Sequence, residues 1–242
     1  MCIFVNHFVA NFLWFCYNIY MEKLNEILNI LREKVKDYFS GDASGHNIDH
    51  LERTLNYALY LQSKEGGDKI VVAISAFIHD IHRIMGAEQK RFVSPKESLV
   101  VVEEFIKDLD ISPQQKNHIL YAIEHHEEYG FSDGGVQVRD IESKILQDAD
   151  NLDAIGAIGL YRTIQYGMAH NVKIYDPSVP LYTNAYKEGD DDASTIHHIN
   201  NKLLRLGDYM NTKTAKKMAK KKNKIMRDFM ELFVGEYTGK FN

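Results

Sequence analysis

The feature that most constrains this chain is the apolar segment over residues 69–84, which reads KIVVAISAFIHDIHRI. Side chains that are apolar almost all round a helix are typical of a helix buried in the centre of a protein. His79 and Asp80 nevertheless stand side by side within this segment. A buried carboxylate is costly unless an opposite charge or a metal ion compensates it. We therefore expect other parts of the chain to supply partners for this pair.

Most of the remaining chain has the periodicity of amphipathic helices. Residues 22–39 and 49–65 each place their apolar side chains on one helix face. Ser94 and Ser112 are each followed by proline, which is the pattern of an N-cap and a first helical residue. With only 4 prolines in 242 residues and no glycine-rich phosphate loop, we predict an all-α bundle. Further helices are predicted over residues 141–165, 195–210 and 212–236, and loops over residues 129–138 and 170–193.

The amino-acid composition limits which class of protein this chain can be and which partners it can bind. Apolar residues make up 45% of the chain and charged residues 26%, which is typical of a soluble globular protein. The net charge of −5 argues against a dedicated nucleic-acid-binding protein. The lysine-rich run over residues 213–227 is interleaved with apolar residues at helical spacing, which favours the solvated face of an amphipathic helix. The cysteines, Cys2 and Cys16, leave no thiolate in the main body, which fits a reducing compartment, and we expect a cytoplasmic protein.

Residues 1–20 differ in composition from the rest of the chain. They contain no Asp, Glu, Lys or Arg and are rich in aromatic side chains. We interpret them as an extension outside the domain, and a membrane anchor or a helix packed on the domain are the alternatives. A membrane contact is not expected except through this segment. The domain is predicted to span residues 21–236, with a tail over residues 237–242.

Histidine and aspartate residues on apolar helix faces or at helix starts are the candidates for a functional site. Imidazole and carboxylate groups together suit a divalent transition metal such as Mn, Fe, Co, Ni or Zn, whereas carboxylates alone suit Mg. His50 and Arg53 are three residues apart and share a helix face. An arginine there suits a phosphate, which it can bind through two parallel hydrogen bonds. The candidates are His46, His50, His79, Asp80, His126, Asp148 and Asp150.

Three segments carry a resemblance to a known family: HNIDHLER at residues 46–53, FIHDI at residues 77–81 and QDADNLD at residues 147–153. They resemble the metal-dependent HD phosphohydrolase superfamily, whose members carry a His, a His-Asp doublet and a distant Asp on a helical bundle. The similarity is greatest to a compact, mostly bacterial branch of predicted HD hydrolases, and it extends from residue 22 to residue 236. The doublet alone is a weak signal, whereas the ordered set is specific, so we expect an HD-domain helical bundle.

The resemblance also implies a ligand set. One divalent metal ion, of an identity that stays open among Mn, Fe, Co, Ni, Zn and Mg, would be bound by His50, His79, Asp80 and Asp150. Asp150 is preferred to Asp148 because the family's last ligand is the aspartate of an Ala-Asp pair. Asn47 stands where the branch often has an aspartate, so a carboxylate near the site is lost.

The activity implied by the resemblance is hydrolysis of a phosphate ester, of a nucleotide or a related small molecule, by metal-activated water. Asp80 would both bind the ion and orient the water. Arg53 and His126 would stabilise the charge that develops on the phosphate. His82 and His125 are expected to have surface or packing roles.

Two alternative functions stay open. The chain could be a metal-stabilised binding or regulatory module without turnover, which an activity screen on nucleotides would reveal. It could also be an oxygenase that uses two irons, as some HD-fold proteins are, which its iron content would reveal.

Overall fold

The computed structural model describes residues 2–36, 38–39, 47–128, 138–181 and 192–240, and for residues 2–13 it describes the backbone alone. Within these residues the chain is helical and contains no strand, which confirms the predicted all-α class. The first eight helices are α1 (Cys2–Lys36), α2 (Ile48–Glu65), α3 (Lys69–Ile78), α4 (Ile81–Gln89), α5 (Pro95–Ile106), α6 (Pro113–His125), α7 (Ile141–Asp153) and α8 (Gly156–Ala169). The C-terminal part contains α9 (Thr195–His198), a π-helix (Ile199–Leu203), α10 (Leu204–Leu206), a 3₁₀ turn (Gly207–Tyr209) and α11 (Lys213–Thr238).

Helix α3 forms the centre of the bundle. Asp68 caps its N-terminus by accepting hydrogen bonds from the backbone N–H groups of Ile70 and Val71, at 2.9 and 3.3 Å. Every residue from Ile70 to Ile78 is buried, and the helix packs against α1, α2, α6 and α7. In the described part of the chain, Lys69–Gln89 is long and apolar enough to cross a membrane, but 78% of its most apolar window is buried inside the protein. The apolar composition of this segment therefore reflects its position in the core.

The prediction of one continuous helix over residues 69–84 is wrong, because the chain turns at His79 and Asp80, between α3 and α4. Asp80 occupies the N-cap position of α4, yet its side chain makes no cap hydrogen bond. Its Oδ2 atom instead lies 3.2 Å from Nε2 of His50. A regular helix would point two consecutive side chains about 100° apart. The turn lets both side chains reach one point at the end of the most buried helix.

Helix α1 runs without a break past the boundary predicted at residue 20. On its C-terminal half, Leu24, Leu28 and Leu31 are buried in the core. On the described upstream part, the side chains of Trp14 and Phe15 are 69% and 58% exposed. The separate character of residues 1–20 stays a prediction, as does the start of the tail at residue 237.

The C-terminal helices agree with the sequence in one part and differ in another. Helix α11 buries Ala215, Ala219 and Met226 and exposes most of its lysines, which is the predicted amphipathic form. Residues 195–209 are helical, as predicted for residues 195–210, but they do not form one regular α-helix, since they include π-helical and 3₁₀ segments. The carbonyl oxygen of Leu204 accepts a hydrogen bond from the side-chain amide of Asn223 on α11, at 2.8 Å. A contact with a distant helix therefore competes with the regular hydrogen bonds of this segment. Of the loops predicted over residues 129–138 and 170–193, residues 129–137 and 182–191 lie outside the described part of the chain.

Asp148 joins α7 to the start of α11. Its buried carboxylate accepts hydrogen bonds from the backbone N–H groups of Asn211 and Thr212, at 2.6 and 2.8 Å. Thr212 in turn caps α11 by accepting the N–H of Ala215, at 3.2 Å. Burial raises the pKa of Asp148 above its ordinary value. This aspartate is therefore a structural link between two helices.

Replacing Asp148 with alanine leaves two buried N–H groups without their acceptor. We expect the free energy of unfolding, measured by urea denaturation, to fall by about 3 kcal/mol. The control is Asp228→Ala, which removes an exposed ion pair with Lys224 and should change stability by less than about 1 kcal/mol. Equal losses in the two variants would contradict the structural role of Asp148.

Candidate metal centre

Residues from α2, α7 and the turn between α3 and α4 meet at one buried point. Helix α2 contributes His50 from its first turn, where the side chain of Asn47 accepts the His50 N–H at 3.2 Å. Helix α7 contributes Asp150, and the turn contributes His79 and Asp80. Asparagine caps a helix as well as aspartate does. The asparagine at position 47 therefore preserves the local structure that places His50.

The four predicted ligands lie within contact distance of one another. Nε2 of His50 is 3.3 Å from Nε2 of His79, 3.2 Å from Oδ2 of Asp80 and 3.4 Å from Oδ1 of Asp150. Nε2 of His79 is 3.5 Å from the same Asp80 oxygen and 3.7 Å from the same Asp150 oxygen. The Asp150 side chain is 18% exposed, whereas the other three are buried. Asp150 therefore marks the open side of the group.

The arrangement of these donors fits a divalent cation. Bonds of about 2.1 Å that meet at ~90–110° separate neighbouring ligand atoms by about 3.0–3.4 Å. Each imidazole Nε2 lies 3.2–3.7 Å from the other and from the two carboxylate oxygens, which is close to that range without any rearrangement. Two imidazoles and two carboxylates form a donor set that a transition metal prefers. His50, His79 and Asp80 could thus hold one ion. Oδ1 of Asp150 lies 3.4 and 3.7 Å from the two imidazole Nε2 atoms of this group and could be a fourth ligand.

Charged groups lie on the Nδ1 side of His50, which is the side of the ring away from the other predicted ligands. Nδ1 of His50 lies 2.8 Å from Oδ2 of Asp153, a fully buried carboxylate on α7. Arg53 binds Asp153 through Nε and Nη2, at 2.7 and 3.0 Å, and Arg162 on α8 binds it through Nη1 at 2.6 Å. Arg53 as a phosphate contact stays a prediction, but its guanidinium group is already bound to a carboxylate.

Sequence reasoning missed Asp153 and Arg162. Asp153 follows Asp150 by three residues, so the two share a helix face, and this spacing was a usable signal. Arg162 lies outside the three motifs, and nothing in its neighbourhood in the chain marks it as a site residue.

A second group of donors lies beside the first. Nε2 of His126 is 4.0 Å from Oδ1 of Asp80, and the ligand atoms of Asp80, His82 and His126 all lie within 4.8 Å of one another. Within the described residues, Nε2 of His126 and of His82 are buried and have no hydrogen-bond partner, although His82 also lies 3.4 Å from Oε1 of Glu127. Both imidazoles place Nδ1 near a backbone carbonyl, that of Ile123 for His126 and that of His79 for His82. These three residues could hold a cation as well.

The remaining candidates lie elsewhere. His125 is partly exposed and contacts Glu128 through its Nδ1 atom at 2.8 Å. Asp148 faces the start of α11 rather than His50 and His79. His46 lies outside the described residues. His82, expected to have a surface or packing role, is buried and faces the second group.

The clustered charges shift the pKa values of these groups. Burial opposes the protonation of His79, but the carboxylates of Asp80 and Asp150 outweigh it and raise its pKa to about 9. Burial also opposes the ionisation of Asp150, yet the hydrogen bond and the charge of His79 hold its pKa well below the usual range. Burial lowers the pKa of His126 to about 4, so that this imidazole is neutral. A cation that binds here therefore displaces a proton from His79.

A family model, that of the HD domain, matches residues 47–155, a range that contains all four predicted ligands. The Lin1889 protein of Listeria innocua, whose structure is solved, is 30% identical, with 88% of this chain and 97% of that chain covered and a TM-score of 0.63. The chain belongs to the HD-domain family. A Bacillus thuringiensis protein described as an HD-superfamily hydrolase is 29% identical, with 90% and 98% of the two chains covered and a TM-score of 0.66. The HD-hydrolase family indicated by the three motifs is thereby confirmed.

A further relative of this HD domain is YpgQ of Bacillus subtilis. It is 28% identical over 212 residues, which are 86% of this chain and 93% of YpgQ. A crystal structure of YpgQ in complex with ADP aligns at 25% identity with a TM-score of 0.67, over 88% of this chain and 96% of that chain. HD domains bind divalent metal ions, and the His/Asp cluster of this HD domain agrees with that property.

The raised pKa of His79 makes metal binding dependent on pH. Below about pH 9 the metal-free imidazole carries a proton that must leave before an ion binds. We expect the affinity for Mn²⁺ or Co²⁺ to rise from pH 6.5 to pH 8.5, by up to about tenfold per pH unit, in isothermal titration calorimetry. Proton release, measured in buffers of different ionisation heat, should accompany binding. An affinity that is constant over this pH range would contradict the shift of His79.

Proposed function

We propose that this HD domain hydrolyses a phosphate ester of a nucleotide or a related small molecule, with water activated by a divalent metal ion. The observation that carries the proposal is the convergence of four side chains, in which the two imidazole Nε2 atoms lie 3.2–3.7 Å from each other and from the carboxylate oxygens of Asp80 and Asp150. The group is open on the side of Asp150. Two guanidinium groups, those of Arg53 and Arg162, lie directly behind this point. A cation and arginine side chains together are the usual means of binding a phosphate.

The protein's own residues have distinct roles in this proposal. His50, His79, Asp80 and Asp150 would hold the ion, which when bound lowers the pKa of a water molecule and polarises a phosphoryl group. Asp80 directs Oδ2 toward His50 and Oδ1 toward His126, so one carboxylate can both hold the ion and accept a hydrogen bond from the attacking water. The low exposure of these side chains excludes other water molecules.

His126 would act next to Asp80. Its Nδ1 atom lies 2.7 Å from the carbonyl oxygen of Ile123, so Nδ1 carries the proton and Nε2 presents a lone pair. A lone pair accepts a proton from water, which this geometry favours over the charge-stabilising role expected from the sequence. The role of His126 in the reaction stays a prediction.

The net charge of the centre also favours a phosphate substrate. With neutral imidazoles, the carboxylates of Asp80, Asp150 and Asp153 exceed the guanidinium groups of Arg53 and Arg162 by one negative charge. A divalent cation changes this excess to one positive charge. A positive charge in a mostly buried cleft attracts an anionic substrate.

The nucleotide part of the proposal has its support in a relative. YpgQ has been crystallised in complex with ADP, and it aligns with 88% of this chain. A nucleotide carries the phosphate groups that the cation and the guanidinium groups would bind. The side chain of Arg53 is 31% exposed, so part of this arginine stays accessible to a phosphate.

The double variant His79→Ala, Asp80→Ala tests the proposal, because it removes two of the four ligands. Phosphate release from a panel of nucleoside mono-, di- and triphosphates should be measured with added Mn²⁺, Co²⁺ or Ni²⁺. We expect activity of the wild type on at least one nucleotide and a fall to the background rate in the variant. The control Asp228→Ala, on the exposed face of α11, should keep the wild-type rate.

Equal inactivity of wild type and double variant on every nucleotide would contradict the enzymatic function. If the metal ions then still raised the melting temperature of the wild type, the chain would be a metal-stabilised binding or regulatory module.

A further inference from the structure

Asp153 differs from the other carboxylates of the site in being enclosed by donors. Its side chain is fully buried, and its two oxygens lie within 3.0 Å of four nitrogen atoms from three residues, Arg53, His50 and Arg162. Oδ1 accepts Nε of Arg53, and Oδ2 faces Nη2 of Arg53, Nη1 of Arg162 and Nδ1 of His50. A carboxylate has about four positions for accepting hydrogen bonds, and four donors already surround the buried Asp153.

The contacts around Nδ1 of His50 determine which nitrogen of the ring carries the proton. Nη1 of Arg162 and Oγ1 of Thr54 approach this nitrogen at 3.2 and 3.4 Å, farther than Asp153 at 2.8 Å. A carboxylate oxygen repels a lone pair at this distance and attracts an N–H group. Nδ1 therefore carries a proton and donates it to Asp153. Nε2 of His50 can then direct its lone pair at a cation bound between His50, His79, Asp80 and Asp150.

The two imidazoles of the site are supported differently. Nδ1 of His79 lies 3.0 Å from the backbone carbonyl of Ala76, which is a neutral acceptor within the same helix. Nδ1 of His50 has an anionic acceptor on another helix, α7. An anion behind an imidazole fixes the ring orientation and makes the ring a stronger metal ligand. His50 is therefore the ligand whose strength depends on a neighbouring residue.

The arginines explain how this anion is kept in the core. Asp153 and Asp150 are both carboxylates, and two like charges this close in the core repel each other unless cations lie beside one of them. Arg53 and Arg162 approach Asp153 from α2 and α8 and supply two positive charges. Asp153 thereby also holds the two guanidinium groups next to the site.

We propose that Asp153 is a positioning residue of the metal centre, which fixes the His50 ring with Nε2 toward the ion and holds Arg53 and Arg162 beside it. The proposal rests on the proposed metal-dependent function, because it concerns the ion that this function requires. It assigns to Asp153 a role through His50, without a contact to the ion or to the substrate.

The test is Asp153→Asn, which keeps the shape of the side chain and removes its charge. Co²⁺ is the probe, because its visible absorption reports the ligand geometry and its affinity can be measured in competition with a chelating dye. We expect the affinity for Co²⁺ to fall by about 10–100-fold and the Co²⁺ absorption bands to change. The matched control is Asp148→Asn, a buried carboxylate on the same helix that faces α11, and its Co²⁺ affinity and spectrum should equal those of the wild type.

A second variant tests the proposal if Asp153→Asn does not fold. Asp153→Glu keeps the charge that the two arginines need and moves the carboxylate by one methylene group. We expect it to fold, by circular dichroism and thermal melting, and to weaken Co²⁺ binding several-fold, with a changed spectrum. A residue with a structural role alone would lower the melting temperature and leave the Co²⁺ spectrum unchanged.

The outcomes separate this proposal from the proposed function. Wild-type affinity and an unchanged spectrum in a folded Asp153 variant would overturn the positioning role and leave the metal-dependent function intact. A wild type that binds no Co²⁺ or Mn²⁺ would overturn the metal-dependent function, and the positioning role with it.

Discussion

Three aspartate carboxylates hold the centre of this bundle in one arrangement, because each needs compensating charge where the helices meet. Asp80 and Asp153 are buried, and Asp150 is partly exposed. Arg53 and Arg162 compensate the charge of Asp153 permanently. Asp80 and Asp150 face the imidazoles and, in the metal-free protein, the proton that His79 retains. An uncompensated buried charge costs several kcal/mol. The packing of α2, α7 and α8 therefore depends on the compensation of these charges.

The core supplies the rigidity that the centre needs. Helix α3 is buried from Ile70 to Ile78, and the turn with His79 and Asp80 lies directly at its end. Ligands on a well-packed element lose little conformational entropy when an ion binds, because their side chains are already restricted. Asp150 is the more exposed of the predicted ligands, so the group is open on the α7 side. The buried helix α3, the turn with His79 and Asp80, and the partly exposed Asp150 thus lie next to one another, so that the core supports the site directly.

Much of the fold was predictable because its signals are local. Apolar periodicity identified the helices, and serine followed by proline marked the starts of α5 and α6, where the structure contains complete capping boxes. The single helix predicted over residues 141–165 is wrong, because α7 ends at Asp153 and α8 begins at Gly156, whose φ is 76°. The other departures from the prediction concern places where a distant side chain competes with the helix. The Asp80 carboxylate faces His50 instead of capping α4, and Asn223 binds the carbonyl of Leu204. Such competition has no trace in the residues that surround either break.

The residues of the candidate site also fall into those that the sequence indicated and those that it did not. The order and spacing of three motifs indicated His50, His79, Asp80 and Asp150, and all four lie together in the fold. Asp153 is the last residue of the QDADNLD segment and shares a helix face with Asp150, but neither fact shows that its carboxylate faces His50. The sequence by itself therefore determined the helical class, the family and the kinds of donor group. The tertiary structure decided that Arg162, 112 residues from His50 in the chain, meets the same carboxylate as His50 does. The physical reason is that the packing of whole helices sets the distances between side chains far apart in the chain, and these distances decide which charges compensate one another.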